Sequence, residues 1–238
     1  MPRTLTVSDE VRALAPGFTH VVIEAHGLRG GPSTEASSAL LDDATRRLAG
    51  RLAGRAPHED PHMAAWRGVY TAFGAKPSRT RNSAEALAKR ALSESGLPRI
   101  NLLVDVYNAV SVARLIPVGG EDADRVEGAM RLVRATGDED FVTVAGGEET
   151  VEHPAPGEVV WRDDTGVTCR RWNWRQGPRT RLTEATASGV FLLEGLAPMP
   201  VADVERAAAE LAEFLQKFSP GARISVGAPE SADGRARR

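Results

Sequence analysis

The segment 161–181 concentrates two residue types that suit binding to a single nucleic-acid strand. Three of the four tryptophans and six arginines of the chain fall within it. Arginine offers a planar fork that matches phosphate, and a base stacked on an aromatic ring contributes roughly 1–3 kcal/mol. The pattern favours an anionic, stacked partner such as the end of an RNA. A β-hairpin with indoles in the core and arginines in water fits the same residues. They are Trp161, Trp172, Trp174, Arg162, Arg170, Arg171, Arg175, Arg179 and Arg181.

Polar side chains interrupt an apolar run in the middle of the chain. Asp105 and Asn108 lie three residues apart within residues 102–110, and so on one face of a helix. A buried carboxylate costs several kcal/mol unless it is paired. Such a face therefore meets either a ligand or a partner side chain.

Two further positions are candidates for binding. Arg81 and Asn82 precede a predicted helix N-terminus, where backbone N–H groups add to an anion-attracting field. Glu194 directly follows the apolar run 190–193. Taken singly, each fits a structural salt bridge or cap as well as a functional role.

Other common kinds of site are not indicated. His58 and His62 flank Asp60-Pro61, but their spacing matches no tight zinc template, and Asp-Pro is a typical helix start. The single Cys169 excludes an intrachain disulfide and a cysteine-based metal cluster. No glycine-rich segment has the pattern of a phosphate-binding loop. We therefore expect no metal, no cofactor and no ATP.

Composition limits the class of protein. The chain has 238 residues, 42% hydrophobic and 26% charged, with a net charge of −2, which is ordinary for a globular protein. It has neither a membrane-length apolar run nor a signal-peptide pattern, so we expect a cytoplasmic protein without a membrane partner. The net charge argues against coating long nucleic acid but allows a small target bound at one patch. Only three of the thirty basic residues are lysines, so each arginine is a weaker signal than usual.

Hydrophobic spacing predicts helices mainly in the first half of the chain. In residues 34–54, for example, Leu41, Leu48 and Leu52 share one face. The predicted helices run from a cap at Ser33 or Thr34 to Gly54, from Asp60-Pro61 to Gly74, from Ser83 to before Gly96, over 100–115, and from Val201 to before Pro220.

The second half reads as short strands separated by turn residues. Helices followed by many strands indicate an α+β fold, and no linker or repeat divides the chain. We therefore expect one domain over residues 1–227 and a disordered polar tail over 228–238. The predicted strands are 20–25, 141–145, 158–162, 167–174, 182–186, 190–193 and 223–226.

The order of these motifs resembles a known family. The segments 102–110, 117–122, 128–135, 141–146, 158–163 and 186–194 are similar to the B3/B4 domain of the phenylalanyl-tRNA synthetase β subunit. Trp66-Arg67, Pro77-Ser78, 81–83 and 170–175 resemble features of free-standing B3/B4 proteins. The resemblance covers roughly residues 15–227. It implies an α+β structure around a β-sandwich-like core flanked by helices. It also implies metal-independent hydrolysis of the ester of mischarged tRNA.

The resemblance also implies a set of site residues. Glu194 lies where the family's glutamate reads the misattached amino acid, with Thr186 on a neighbouring strand. Gly119 replaces the pocket histidine of the synthetase, so tyrosine does not follow as the target. The remaining residues would act on the substrate or on tRNA. Asp105 or Glu194 would bind the substrate ammonium, and Asn108 would donate to the ester carbonyl. The residues expected at the acceptor end are Arg81, Asn82, Arg170, Arg171, Trp172, Asn173, Trp174 and Arg175.

Three functions fit these residues. The first is a free-standing aminoacyl-tRNA deacylase. The second is a non-catalytic tRNA- or RNA-binding module of the same fold, favoured by the loss of the histidine. The third is a hydrolase or binder of small amino-acid esters, for which Arg171 and Trp172 would be dispensable.

Overall fold

The computed structural model describes residues 5–231, which form six α-helices and twelve β-strands. The helices are α1 (Asp9–Leu14), α2 (Glu35–Leu52), α3 (Pro61–Ala72), α4 (Ser83–Ala91), α5 (Leu102–Arg114) and α6 (Val201–Phe218). The strands are β1 (Leu5–Val7), β2 (Phe18–His26), β3 (Val118–Asp122), β4 (Met130–Arg134), β5 (Phe141–Ala145), β6 (Glu148–Glu152), β7 (Val159–Arg162), β8 (Val167–Arg170), β9 (Arg175–Gln176), β10 (Ser188–Leu196), β11 (Arg223–Val226) and β12 (Glu230–Ser231).

The central sheet has the strand order β11-β2-β10-β3, and β12 also pairs with β2. Strand β10 is buried on both faces, and its side chains alternate between two apolar clusters. Val190 and Leu192 belong to one cluster, whereas Phe191 and Leu193 belong to the other, with helices α5 and α6. Glu194 continues the alternation and therefore points to the same side as Val190 and Leu192.

A second sheet, β1-β4-β7-β8-β9, lies on that side. Met130 and Leu132 of β4 and Trp161 of β7 join the cluster that contains Val190 and Leu192. The two sheets therefore enclose a common core, as in a β-sandwich. Helices α2, α3 and α4 add buried residues to the same cluster.

The predicted fold class is confirmed: the protein is α+β, with a β-sandwich-like core flanked by helices. All five helices predicted from hydrophobic spacing are present. The N-caps also agree with the sequence, since Thr34, Asp60 and Asn82 each accept a backbone N–H of the first turn.

Two of the predicted strands differ from the structure. The strand predicted over 167–174 ends at Arg170, and residues 171–174 form a tight turn. Residues 182–186 form no strand; Arg181 makes a single bridge to Glu121, and Thr186 donates to Asp122. Both segments are drawn inward by polar contacts to distant residues, which override the local preference for an extended chain.

The tail predicted to be disordered is described only in part. Its residues 228–231 include β12, which pairs with His20 and Thr19 of β2, whereas residues 232–238 lie outside the described part. The single domain over 1–227 stays a prediction. Within residues 5–231, no helix is long and apolar enough to span a membrane.

Candidate functional site

The tight turn after β8 positions the centre of the site. Arg171 and Trp172 both have left-handed backbone conformations, with φ of 45° and 65°. Such conformations cost free energy in residues other than glycine, so they persist only where the surroundings compensate. Here the Trp172 N–H donates to the carbonyl of Val159, and the side chains of Trp172 and Asn173 turn toward the core.

Glu194 of β10 receives three hydrogen bonds from this region. Its Oε1 accepts from the indole N–H groups of Trp161 (3.1 Å) and Trp172 (2.9 Å), and its Oε2 accepts from the Asn173 amide (2.9 Å). The carboxylate is 2% exposed. Burial raises the pKa of Glu194 to about 7, although the three donors act in the opposite direction. The site therefore holds a poorly hydrated carboxylate that titrates near neutral pH.

A cavity of about 290 Å³ lies beside this carboxylate, between the two sheets and helices α4 and α5; we call it the carboxylate cavity. Apolar and aromatic walls surround a few polar groups. The buried Ser83 hydroxyl at its wall has no partner among the described residues. The lining residues are Ser83, Ala86, Leu87, Tyr107, Asn108, Val118, Gly119, Glu121, Trp161, Cys169, Trp172, Asn173, Trp174, Gln176, Leu192 and Glu194.

A second buried carboxyl group, Glu121 of β3, faces the same cavity. Glu121 pairs with Val190 in the sheet, four residues along β10 from Glu194. Its Oε2 accepts from the Gln176 amide at 2.6 Å. Burial raises the pKa of Glu121 to about 8. At pH 7 this group is therefore mainly protonated, and one side of the cavity is less acidic than two glutamates suggest.

The buried glutamates predict an unusual dependence of stability on pH. The pKa of Glu121 is higher in the native protein than in the unfolded chain. The protonated Glu121 therefore contributes fully to the free energy of unfolding below about pH 4.5, and this contribution is lost as the pH rises through about 8. The contribution of Glu194 to the free energy of unfolding is likewise lost as the pH rises through about 7. The pKa values of His20 and His62 are lowered to about 4, so these groups act oppositely but only below about 6.5. We expect the free energy of unfolding to fall between about pH 7 and 8.5.

Urea unfolding at the two pH values tests this expectation. Glu121→Gln resembles the protonated acid and retains the contact with Gln176, so it should remove most of the decrease. Glu213→Gln, an exposed change on α6, is the control and should behave as the native protein. An equal decrease in native protein and Glu121→Gln would show that Glu121 does not titrate in this range.

Six of the residues predicted from the sequence meet at the carboxylate cavity. Asn108 of α5 is 7% exposed there, and Gly119 of β3 leaves space, since a Cβ at this position would meet nothing within 4 Å. The others come from the tight turn and β10. The six are Asn108, Gly119, Trp172, Asn173, Trp174 and Glu194.

The structure places Asp105 and Thr186 away from the lining of this cavity. The Asp105 carboxylate accepts from the Ser37 hydroxyl (2.8 Å) and from the backbone N–H of Ile100 (3.1 Å), so it ties α2 to the start of α5. The Thr186 hydroxyl donates to Asp122 at 2.7 Å. Both residues satisfy buried polar groups within the fold.

The predicted tRNA-binding arginines are mostly engaged within the protein. Arg170 is buried and binds Glu158 through two nitrogens, each at 2.9 Å, and Glu152 at 2.6 Å. Arg175 also approaches Glu152, at 3.5 Å. These contacts make Arg170 a structural residue, because removing one partner of a buried ion pair leaves the other charge uncompensated.

Two other predicted positions lie at the start of α4. Arg81 pairs with Glu85 at 3.3 Å, and Asn82 caps the helix by accepting the Glu85 N–H. Arg171 is 27% exposed, pairs with Glu158 at 3.6 Å and stacks on the Trp174 ring at 4.3 Å. The Arg171 guanidinium therefore lies against a residue that lines the carboxylate cavity.

The sequence reasoning missed several residues of the cavity. Glu121 lies two residues after Gly119 on β3, so the two-residue period of a strand places both on one face. The two-residue spacing of Gly119 and Glu121 is informative only if residues 118–122 form a strand, which their sequence does not predict. Gln176 and Tyr107 follow from contacts between distant segments, for which the sequence carries no local signal.

A cavity with apolar walls and a few convergent polar groups is the usual form of a small-molecule site. The ionised form of Glu194 attracts a cation more strongly here than in water, because the surroundings are poorly polar. The protein is therefore α+β, with a cavity between its two sheets that holds two buried carboxyl groups, Glu121 and Glu194.

Comparison with known proteins agrees with the resemblance of the motifs. The model of the B3/4 domain matches residues 65–222, more than half of the chain, so the protein belongs to the B3/4 domain family. A solved N-terminal fragment of the phenylalanyl-tRNA synthetase beta-subunit from Pyrococcus horikoshii aligns over 94% of this chain and 50% of that one, at 14% identity and a TM-score of 0.47. The chain thus spans about half the length of that fragment. Among curated proteins, no match to the chain is found.

Proposed function

We propose that the protein is a free-standing aminoacyl-tRNA deacylase that hydrolyses the ester of mischarged tRNA. The observation that carries this proposal is the buried Glu194, held by three N–H donors at the wall of the carboxylate cavity. These donors satisfy an ionised carboxylate, whose charge suits the α-ammonium group of an amino acid. The volume, about 290 Å³, lies at the small end of ligand pockets and suits an aminoacyl group.

The reaction needs no metal or cofactor. Water attacks the ester carbonyl carbon, the bond from this carbon to the ribose oxygen breaks, and a proton passes to that oxygen. The products are a free amino acid and an uncharged tRNA end. Because the ester is already activated, orientation and donors toward the developing oxyanion supply the catalysis. In this proposal Glu194 binds the ammonium, and the Asn108 amide donates to the carbonyl oxygen.

Membership of the B3/4 family, together with the resemblance of the motifs to the B3/B4 domain of the phenylalanyl-tRNA synthetase β subunit, supports tRNA as the substrate. Of the two tryptophans of the tight turn, Trp172 is fully buried, and Trp174 supports the proposal independently. Trp174 lines the cavity and has an aromatic face suited to the terminal adenine. The proposal places the protein in the cytoplasm, where tRNA is charged.

Deacylation of a panel of charged tRNAs by the purified protein, with EDTA present, tests the proposal. We expect rapid release of the amino acid from one or a few mischarged species, while correctly charged pairs are spared. Release from none, together with salt-sensitive tRNA binding, would replace the deacylase by the RNA-binding module. Hydrolysis of free amino-acid esters that is unaffected by Trp174→Ala would instead indicate an esterase of small substrates.

A further inference from the structure

A second cavity, of about 310 Å³, lies against the other side of the tight turn. We call it the basic groove. Lys76 and Arg79 line it from the segment between α3 and α4, and Arg171 lines it from the turn. Lys76 and Arg79 are exposed, and within residues 5–231 neither takes part in an ion pair. Three cationic side chains therefore converge on one depression of the surface.

The one carboxylate that lines the groove, Glu158, pairs with Arg170 and Arg171 but not with Lys76 or Arg79. Glu158 is 4% exposed and is bound by the guanidinium of Arg170 at 2.9 Å through each oxygen. Its Oε1 also accepts the backbone N–H of Arg171. Because Arg170 and Arg171 already pair with this carboxylate, the charges of Lys76 and Arg79 give the groove a positive potential that favours an anion.

The groove and the carboxylate cavity share a wall. The Arg171 guanidinium, which lines the groove, lies over the ring of Trp174, which lines the cavity. The left-handed conformations of Arg171 and Trp172 produce this arrangement, since they send Arg171 to the groove and Trp172 to Glu194. An anion in the groove would therefore sit next to a ligand in the cavity.

We propose that the basic groove binds a backbone phosphate of an RNA strand whose terminal residue enters the carboxylate cavity. This inference rests on the proposed function and assigns Lys76, Arg79 and Arg171 to the phosphate. Arginine presents a fork to the phosphate oxygens, and lysine adds a mobile point charge. In this proposal Lys76 and Arg79, which form no ion pair among the described residues, bind the phosphate in place of Arg170 and Arg175, which pair with Glu158 and Glu152.

The affinity for uncharged tRNA, measured between about 50 and 200 mM salt, tests this assignment. The double variant Lys76→Ala/Arg79→Ala should bind more weakly. Its slope of log affinity against log salt should be less steep by about 1.4, or roughly 0.7 for each lost single-strand contact. Lys217→Ala/Arg223→Ala is the matched control, because it removes the same two charges from exposed positions on α6 and β11. Its slope should equal that of the native protein.

Both double variants change exposed side chains, so circular dichroism and melting should be unchanged. Unaltered affinity and slope in Lys76→Ala/Arg79→Ala would overturn the groove, even if deacylation is observed. A reduced slope without deacylation would keep the groove and overturn the deacylase. Inorganic phosphate at constant ionic strength should compete with tRNA for the native protein. Phosphate binding without any tRNA binding would indicate a small phosphorylated ligand and overturn the RNA assignment.

Discussion

Glu194→Gln is expected to lower kcat/KM for deacylation by about 30-fold to several-thousand-fold. This range corresponds to the 2–5 kcal/mol lost when one partner of a buried charge pair is removed, at 1.4 kcal/mol for each tenfold change. The substitution keeps the shape of the side chain. The new amide oxygen still accepts from Trp161 and Trp172, and the Asn173 amide can turn over because the Tyr70 hydroxyl beside it donates or accepts.

The stability of Glu194→Gln separates a functional role from a structural one. Burial of the ionised carboxylate is unfavourable, so the variant should be at least as stable as the native protein above pH 7. In the proposed reaction the native rate should rise with pH through about 7 as Glu194 ionises, and the variant should lose this rise. Deacylation rates from pH 6 to 8, corrected for the uncatalysed reaction, measure this. Unchanged kcat/KM with an unchanged pH profile would show that Glu194 does not bind the substrate.

The helices were predictable because their signals are local. Leu41, Leu48 and Leu52 repeat at helical spacing, and Asp60-Pro61 supplies both the N-cap of α3 and its first residue. Such patterns determine the buried face of a helix before any tertiary contact is known. The alternation of β10 is equally local, and it places Glu194 on the side of the second sheet.

The tight turn was not predictable, because nothing nearby in the sequence requires it. Arg171 and Trp172 take left-handed conformations without a glycine or an asparagine at either position. The contact that holds Trp172 comes from Glu194, 22 residues away. A long-range hydrogen bond thus decides a local conformation, and the extended prediction for 171–174 is wrong for this reason.

Strand β3 was missed for the opposite reason. Its Val118-Gly-Gly-Glu-Asp122 sequence contains residues that strands usually avoid. It is a strand because β10 pairs with it over five residues. Glu121 therefore enters the cavity through tertiary pairing. The ion pairs of Arg170 with Glu158 and Glu152 also join distant segments, so arginine composition alone does not show that Arg170 is paired within the protein.

Gly119→Val is expected to abolish deacylation of large aminoacyl groups while leaving the fold intact. A Cβ at Gly119 meets no heavy atom within 4 Å, and Gly119 faces the carboxylate cavity, so a larger side chain occupies the space of the aminoacyl group. Valine also suits a strand better than glycine, so the free energy of unfolding should not decrease by more than about 1 kcal/mol. The neighbouring Gly120→Ala is the contrast. Its Cβ would lie 2.8 Å from Leu182 and 3.0 Å from Tyr107, and it should destabilise the protein by about 1–3 kcal/mol.

A graded series at Gly119 shows whether the loss is steric. Gly119→Ala should reduce the rate less than Gly119→Val. Both variants should hydrolyse small aminoacyl groups faster than large ones, because the added side chain takes up part of a cavity of only about 290 Å³. Affinity for uncharged tRNA should persist, since the basic groove lies outside the cavity. Single-turnover deacylation with amino acids of increasing size measures the trend. Full activity of Gly119→Val on every substrate would mean that the aminoacyl group binds elsewhere.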